Sequence, residues 1–273
     1  MFTVLKKTLM YLLLAAAALV FLYPFAWMLA ASARPEAEAM NMGLGASHYS
    51  LDNYRMMMER IPIFRALLNS VIVSAISTFT VLILCSMTGY ALSRLRFPGR
   101  EVIFGVILFS MMIPFQITLI PLYVLMVKLG LTDSYAALII PFVMSPFAIL
   151  LFRQFFLQIP RDLIDAARID GLGDLGILFR VFWPLSRPAI ITVGIVHFMG
   201  IWNEVLWPII IVRKEEIMTM PQMVALFEVS GRAENLIAVK LAAASLMTIP
   251  IVLAYLVLQR YFIESMATTG LKG

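Results

Sequence analysis

The densest set of groups able to do chemistry in this sequence lies between His197 and Trp207. Glu204 is an acid inside an otherwise apolar run, about residues 188–212, where an ionisable group is costly and marks a function or a partner. His197 lies seven residues earlier, so a continuous helix presents both on one face, with Gly200 between them. Trp202, Asn203 and Trp207 flank the acid, and Pro208 would leave the carbonyl of Glu204 without its helical donor. Hydrogen-bonding groups beside aromatic faces are what a sugar requires. The same residues fit two other roles: Asn203 and Glu204 can tie neighbouring helices together, and a Glu–His pair can carry protons. Gln116 adds a further polar group within an apolar stretch. It sits between Pro114 and Pro121, whose spacing predicts a bent helix beside a cavity.

Residues 153–187 have a different character. Pro160 can open a helix with Asp162 in its first turn. That helix would run through Asp165, Ala166, Ala167, Arg168 and Asp170 to Gly171, which can supply the left-handed stop. Asp174 is placed to cap a second helix, Leu175–Phe182, that Pro184 ends. The two alanines would let another backbone come close. Arg161, Arg168, Arg180 and Arg187 balance Asp162, Asp165, Asp170 and Asp174, so this is not a basic helix seeking anionic lipid. On these residues alone two readings stand: an amphipathic pair lying at the membrane interface, anchored by Phe179, Phe182 and Trp183, or a docking element for a cytoplasmic partner.

Other chemistries find no residues to support them. The sequence has no G-x-x-x-x-G-K-[ST] loop, no H-E-x-x-H and no G-x-S-x-G. It has one cysteine, Cys85, and two histidines, His48 and His197, which leaves nothing to build a metal centre. No catalytic residue is assigned, no enzyme is expected, and the chain is expected to bind no cofactor itself. Its bases do not form a stripe interleaved with aromatics, so nucleic acid is not expected as a partner.

The elements that must position these groups follow from composition. Of 273 residues, 62% are apolar and 14% charged, and the mean hydropathy is +0.94. A soluble domain could not bury that much hydrocarbon, and a disordered chain would not contain it. Six stretches are long enough to span a bilayer as helices, about residues 8–31, 66–92, 102–127, 136–152, 188–212 and 241–259. The first is too long for a cleaved signal and reads as a retained anchor. An N-terminus inside puts Lys6, Lys7, Arg94, Arg96, Arg100, Arg153, Arg161, Arg168, Arg180, Arg187, Arg260 and Lys272 on the cytoplasmic side. The tight group Arg94, Arg96 and Arg100 is the best single indicator, and both termini are then cytoplasmic.

Asp165-Ala166-Ala167, three residues, Gly171, nine residues and Val181-Phe182-Trp183-Pro184 resemble the EAA motif, EAA-x3-G-x9-I-x-LP, of permease subunits of binding-protein-dependent ABC importers. Asp165, Val181 and Trp183 depart from its Glu, Ile and Leu. Arg34-Pro35-Glu36, Asn53-Tyr54, Tyr90-Ala91-Leu92-Ser93-Arg94, Trp202-Asn203-Glu204 with Leu206-Trp207-Pro208, and Gly270-Leu271-Lys272-Gly273 look like the carbohydrate branch. The pattern is similar to the shorter maltose-type and glycerol-3-phosphate-type subunits. The resemblance implies an all-α integral membrane protein with six transmembrane helices, a single permease domain over residues 1–273 of a prokaryotic inner membrane. It implies that Asp165, Ala166, Ala167, Arg168, Asp170, Gly171 and Pro184 couple the channel to a cytoplasmic ATPase pair, which holds ATP and magnesium. A second permease subunit, an extracytoplasmic sugar-binding protein and membrane lipid complete the implied partners. Gln116, Trp202, Asn203, Glu204 and Trp207 are then candidates for the substrate path. The competing class is a secondary transporter coupled to protons through Glu204 and His197.

Overall fold

Backbone in hydrocarbon must satisfy its own N–H and C=O groups, and the described residues are helical with no strand. The computed structural model describes residues 2–229 and 236–270; Arg232, Leu271, Lys272 and Gly273 lie outside them. In chain order the helices are α1 (Phe2–Ser32), α2 (Asp52–Arg60), α3 (Ile63–Arg94), α4 (Arg100–Ser110) and α5 (Phe115–Lys128). Then come α6 (Tyr135–Ile139), α7 (Pro146–Gln158), α8 (Arg161–Ile169), α9 (Asp174–Ile177) and α10 (Trp183–Leu185). The last four are α11 (Arg187–Trp202), α12 (Leu206–Ile211), α13 (Met220–Val229) and α14 (Ile237–Gly270).

Among the described residues two helices, Leu5–Ser32 and Ile63–Arg94, are long and apolar enough to cross a membrane, and the number rises to five if each of three bent pairs is one span. The six spans expected from the sequence are therefore not all single helices among the described residues. The 102–127 stretch is α4 and α5 meeting at 102°. Its corner is a run of tight turns, with Met111, Met112 and Ile113 each bonded three residues back, before Pro114, which has no N–H to continue the helix. Pro121 sits inside α5, so of the two prolines Pro114 makes the bend. The 136–152 stretch breaks before α7, where the Ser145 hydroxyl accepts from the Ala148 N–H at 3.3 Å and Pro146 restarts the helix. The 188–212 stretch ends at Trp202 and resumes at Leu206. The 241–259 stretch lies within α14.

The chain divides into two units, Met1–Phe64 with Met223–Val252, and Arg65–Gln222 with Leu253–Gly273. In the first, the exposed leucines, valines and aromatics of α1 face outward as a lipid-facing helix would. The link from α1 to α2 is pinned by buried polar groups. Arg34, wholly buried, donates to the carbonyls of Asn41 (2.9 Å) and Gly43. Asn53 Nδ2 donates to the carbonyls of Ser32 (2.9 Å) and Arg34 (2.7 Å). The Glu36 carboxylate accepts from the first N–H groups of α14, Ile237 at 2.6 Å and Ala238 at 2.9 Å, where a helix N-terminus needs an anion.

The second unit is built on α3, α7 and the 153–187 segment. Gly89 of α3 lies where an added Cβ would come within 2.7 Å of Phe152 Cβ and 3.1 Å of the Arg153 nitrogen, so α3 and α7 touch backbone to backbone. Between α5 and α6, Asp133 (φ +54°) accepts from the N–H groups of Arg213 at 2.5 Å and Lys214 at 3.0 Å. Those two donors hold its carboxyl below the usual carboxylate range. The close approach at Gly89 generates a test: Gly89→Ala should lower stability by about 1–3 kcal/mol through overpacking, seen as a lower thermal midpoint in detergent. An unchanged midpoint would refute this contact.

Candidate functional site

The EAA-like segment forms a rigid bracket. On α8, Ile164 and Ala167 are buried, while Leu163, Asp165, Ala166, Arg168, Ile169 and Asp170 face out. Ile169 is 87% exposed, an unusual position for isoleucine outside the bilayer-type helices. Gly171 has φ +82° and ends the helix, and the Leu172 N–H returns to the Ala167 carbonyl at 3.0 Å. Two expectations are corrected. Asp174 is the first residue of α9 and makes no cap bond; its Oδ1 accepts from the Tyr90 hydroxyl at 3.1 Å and from Arg168 at 3.3 Å. The second helix is not one uniform helix: α9 is followed by a wide π turn, Leu178–Phe182, and then by α10, which holds Pro184. Of the two alanines, only Ala166 is available to a neighbour, because Ala167 packs inward.

The bracket is fixed to the membrane-side helices by aromatic packing. Phe182 meets Tyr90 edge-on at 5.1 Å and Phe156 edge-on at 5.1 Å, and Phe156 stacks on Phe152 at 5.6 Å. Such pairs add about 0.5–1.5 kcal/mol each beyond burial. Arg94 lies 5.5 Å from the Phe182 ring and donates to the carbonyls of Phe156 in the last turn of α7 and Ile159 just after it. Trp183, where the resemblance expects leucine, donates through Nε1 to the Ser86 hydroxyl at 3.0 Å. The segment that carries α8 is thereby packed against α3 and α7.

A second feature lies at the helix breaks. A cavity of about 380 Å³ is lined by Ser145 and Pro146 at the start of α7 and by His197, Gly200 and Glu204 at the end of α11. Glu204 is not inside a helix, as the sequence reading had it. It stands between α11 and α12, where its Oε1 accepts from the N–H groups of Leu206 at 2.9 Å and Trp207 at 3.1 Å. The apolar run conceals this because a carboxylate capping the next helix satisfies free N–H groups within its own segment. His197 Nε2 lies 3.2 Å from the Ser77 hydroxyl. Of the other path candidates, Trp202 and Trp207 are buried, and Trp207 Nε1 donates to the Ala137 carbonyl at 2.9 Å. Asn203 is exposed and donates to the Met199 carbonyl at 2.8 Å, and Gln116 is exposed on α5; none of these four lines the cavity. Ser145 was missed by the sequence reading, although Ser before Pro before an apolar run is a helix-start signal. Among the described residues no group of three His, Cys, Asp or Glu could hold a metal. Glu204→Gln should stay within a few tenths of a kcal/mol of wild type, since an amide oxygen can accept the same bonds. Glu204→Leu should cost about 1 kcal/mol of thermal stability; equal losses would show that charge, not the cap, matters.

Residues 84–268 match the family described as binding-protein-dependent transport system inner membrane component. The chain is 35% identical over 260 residues to the arabinooligosaccharides transport system permease protein AraQ of Bacillus subtilis (strain 168), covering 93% of this chain and 92% of that one. It is 31% identical over 254 residues to the trehalose transport system permease protein SugB of Mycobacterium tuberculosis (strain CDC 1551 / Oshkosh), covering 92% and 93%. A crystal structure of a bacterial ABC transporter involved in import of the acidic polysaccharide alginate holds a chain that superposes with TM-score 0.80 at 27% identity, over 94% of this chain and 96% of that one. These relatives are transport permeases, not enzymes. With its exposed apolar helices, broken spans and EAA-like bracket, this chain belongs to the family of inner-membrane components of binding-protein-dependent transport systems.

Proposed function

We propose that this chain is one of two membrane-spanning subunits of an ATP-driven importer for a sugar, an oligosaccharide or a related polyol phosphate. Relatives named for arabinooligosaccharides and trehalose, and a structural relative that imports alginate, support a carbohydrate as the cargo. The proton-coupled alternative has no such support. Both termini are cytoplasmic in this reading, α8 and its bracket face the cytoplasm, and an external binding protein delivers the sugar from the other side.

The observation that carries the proposal is the outward face of α8. Leu163, Ala166 and Ile169 stand three residues apart, an apolar stripe held out from a helix whose other face is locked into the protein. A cleft in the ATPase subunit receives that stripe, with Asp165, Arg168 and Asp170 at its polar edge. Gly171 sharpens the turn after it, and Pro184 starts the rise back to α11. ATP and magnesium stay on the ATPase. When the ATPase pair closes, α8 moves, and the aromatic contacts of Phe182 pass that displacement to α3 and α7 as a rigid-body shift. The cavity at Ser145, His197 and Glu204 lies where α7 and α11 meet such a shift, and its polar groups border the sugar's path.

The test uses the assembled complex in proteoliposomes with the binding protein outside. Uptake should require enclosed ATP, and a proton gradient without ATP should give none. Ile169→Asp and Ala166→Trp should cut uptake and ATPase co-purification at least tenfold, as loss of an interface anchor of about 2 kcal/mol would, while insertion is retained. Gly171→Pro, whose ring cannot adopt φ +82°, should abolish uptake. Full uptake by Ile169→Asp and Ala166→Trp, or gradient-driven uptake without ATP, would overturn the reading.

A further inference from the structure

The balanced charge of residues 153–187 does not survive folding. Arg94, Arg96, Arg100, Arg161 and Arg168 line one cavity of about 500 Å³ between the end of α3 and α8, with Asp165 its only acidic lining residue. A second cavity of about 470 Å³ shares Arg96, Arg100 and Arg161 and continues past Phe97 and Gly99 to Glu101 and Val102 at the start of α4. Two neighbouring acids are already engaged: Glu101 takes Arg100 at 2.9 Å and Arg153 at 3.1 Å, and Asp174 takes Arg168 at 3.3 Å. Asp165 is left as one carboxylate among five arginines. Arg94 donates to neutral carbonyls, which leave its charge uncancelled. Arg96 and Arg161 have no acidic partner among the described residues. Gly99, with φ +80°, caps α4 without a side-chain hydrogen bond, so the free amides of that 11-residue helix add to the positive field.

An anion therefore belongs here, and the surroundings say which kind. The arginine group begins where the apolar run of α3 ends, and beside it α4 exposes Val102 (71%), Val106 (63%) and Phe109 (64%). A charged recess continuous with an apolar helix face matches an amphiphile. We infer that the paired cavities hold the phosphate headgroup of an anionic membrane lipid, with its acyl chains along the exposed face of α4. Guanidinium forks match phosphate oxygens in pairs, which an ammonium could not do. Inorganic phosphate shares the headgroup chemistry but makes no use of α4. Because Arg161 sits on α8 while Arg96 lies in the link after α3 and Arg100 opens α4, the lipid bridges the bracket to the membrane-side helices. The inference holds whichever solute is carried.

The experiment is native mass spectrometry of the chain purified with its partner subunits in mild detergent. The complex is titrated with phosphatidylglycerol, phosphatidylethanolamine or inorganic phosphate. Wild type should retain phosphatidylglycerol selectively. Arg96→Gln and Arg161→Gln should each weaken retention about fivefold, and the double variant roughly 30-fold; Arg213→Gln should not change it. Thermal midpoints of the variants should match wild type, since neither arginine has an acid to lose. If the double variant does not assemble, the lipid comparison on wild type still decides. Equal retention of both lipids, undiminished phosphatidylglycerol retention in the double variant, or retention of inorganic phosphate alone would overturn the inference. So would release of a partner subunit by the double variant with phosphatidylglycerol still bound, which would assign the arginines to a protein contact.

Discussion

Phe182 is the contact on which the second unit depends. It comes from the π turn that follows α9, it is wholly buried, and Tyr90 of α3 and Phe156 of α7 both meet it edge-on at 5.1 Å. Arg94 faces the same ring. Three segments far apart in sequence thus share one side chain, and removing it would leave a cavity whose cost runs to about 3–5 kcal/mol. The π turn has its reason here: one extra residue in the turn re-aims the chain, and the neighbouring Trp183 then reaches Ser86. The departure from leucine at that position adds a hydrogen bond to the same joint.

Much of the bracket was legible in the sequence because its signals are local. Pro160 before a first-turn acid and Gly171 after the last apolar residue mark the ends of α8 by rules that need no tertiary knowledge. What could not be read was which side of α8 faces inward. Ala166 and Ala167 look alike in sequence, and only packing against Ile177, Leu178 and Phe182 separates them. Asp174 illustrates the opposite failure. Its type and place suit a cap, yet a long-range hydroxyl donor and Arg168 claim its oxygen instead.

The spans show a second limit. Hydropathy averages over about 19 residues and does not register where a backbone hydrogen bond is missing. Residues 111–114, 143–145 and 203–205 all lie in stretches apolar enough to pass, but each interrupts a helix. At the second and third of these, side chains of the same segments, Ser145 and Glu204, take orphan N–H groups; at the first, backbone turns do so before Pro114. The polar residues that looked like contacts for a ligand or another helix are first of all the means by which the helices can break. Ser145 and Glu204 also line the cavity beside the breaks, so the carboxylate that caps α12 is at the same time part of a cavity wall.

The bond from Glu36 to the start of α14 has a consequence for the order of assembly. Its partners are 201 residues apart. Translation at roughly 5–20 residues per second separates their synthesis by about 10–40 s. Over that interval the link after α1 carries a carboxylate without its amides, and the first unit cannot be completed. The link after α1 thus gains these partners only once the start of α14 has been made, so the first unit closes late in synthesis.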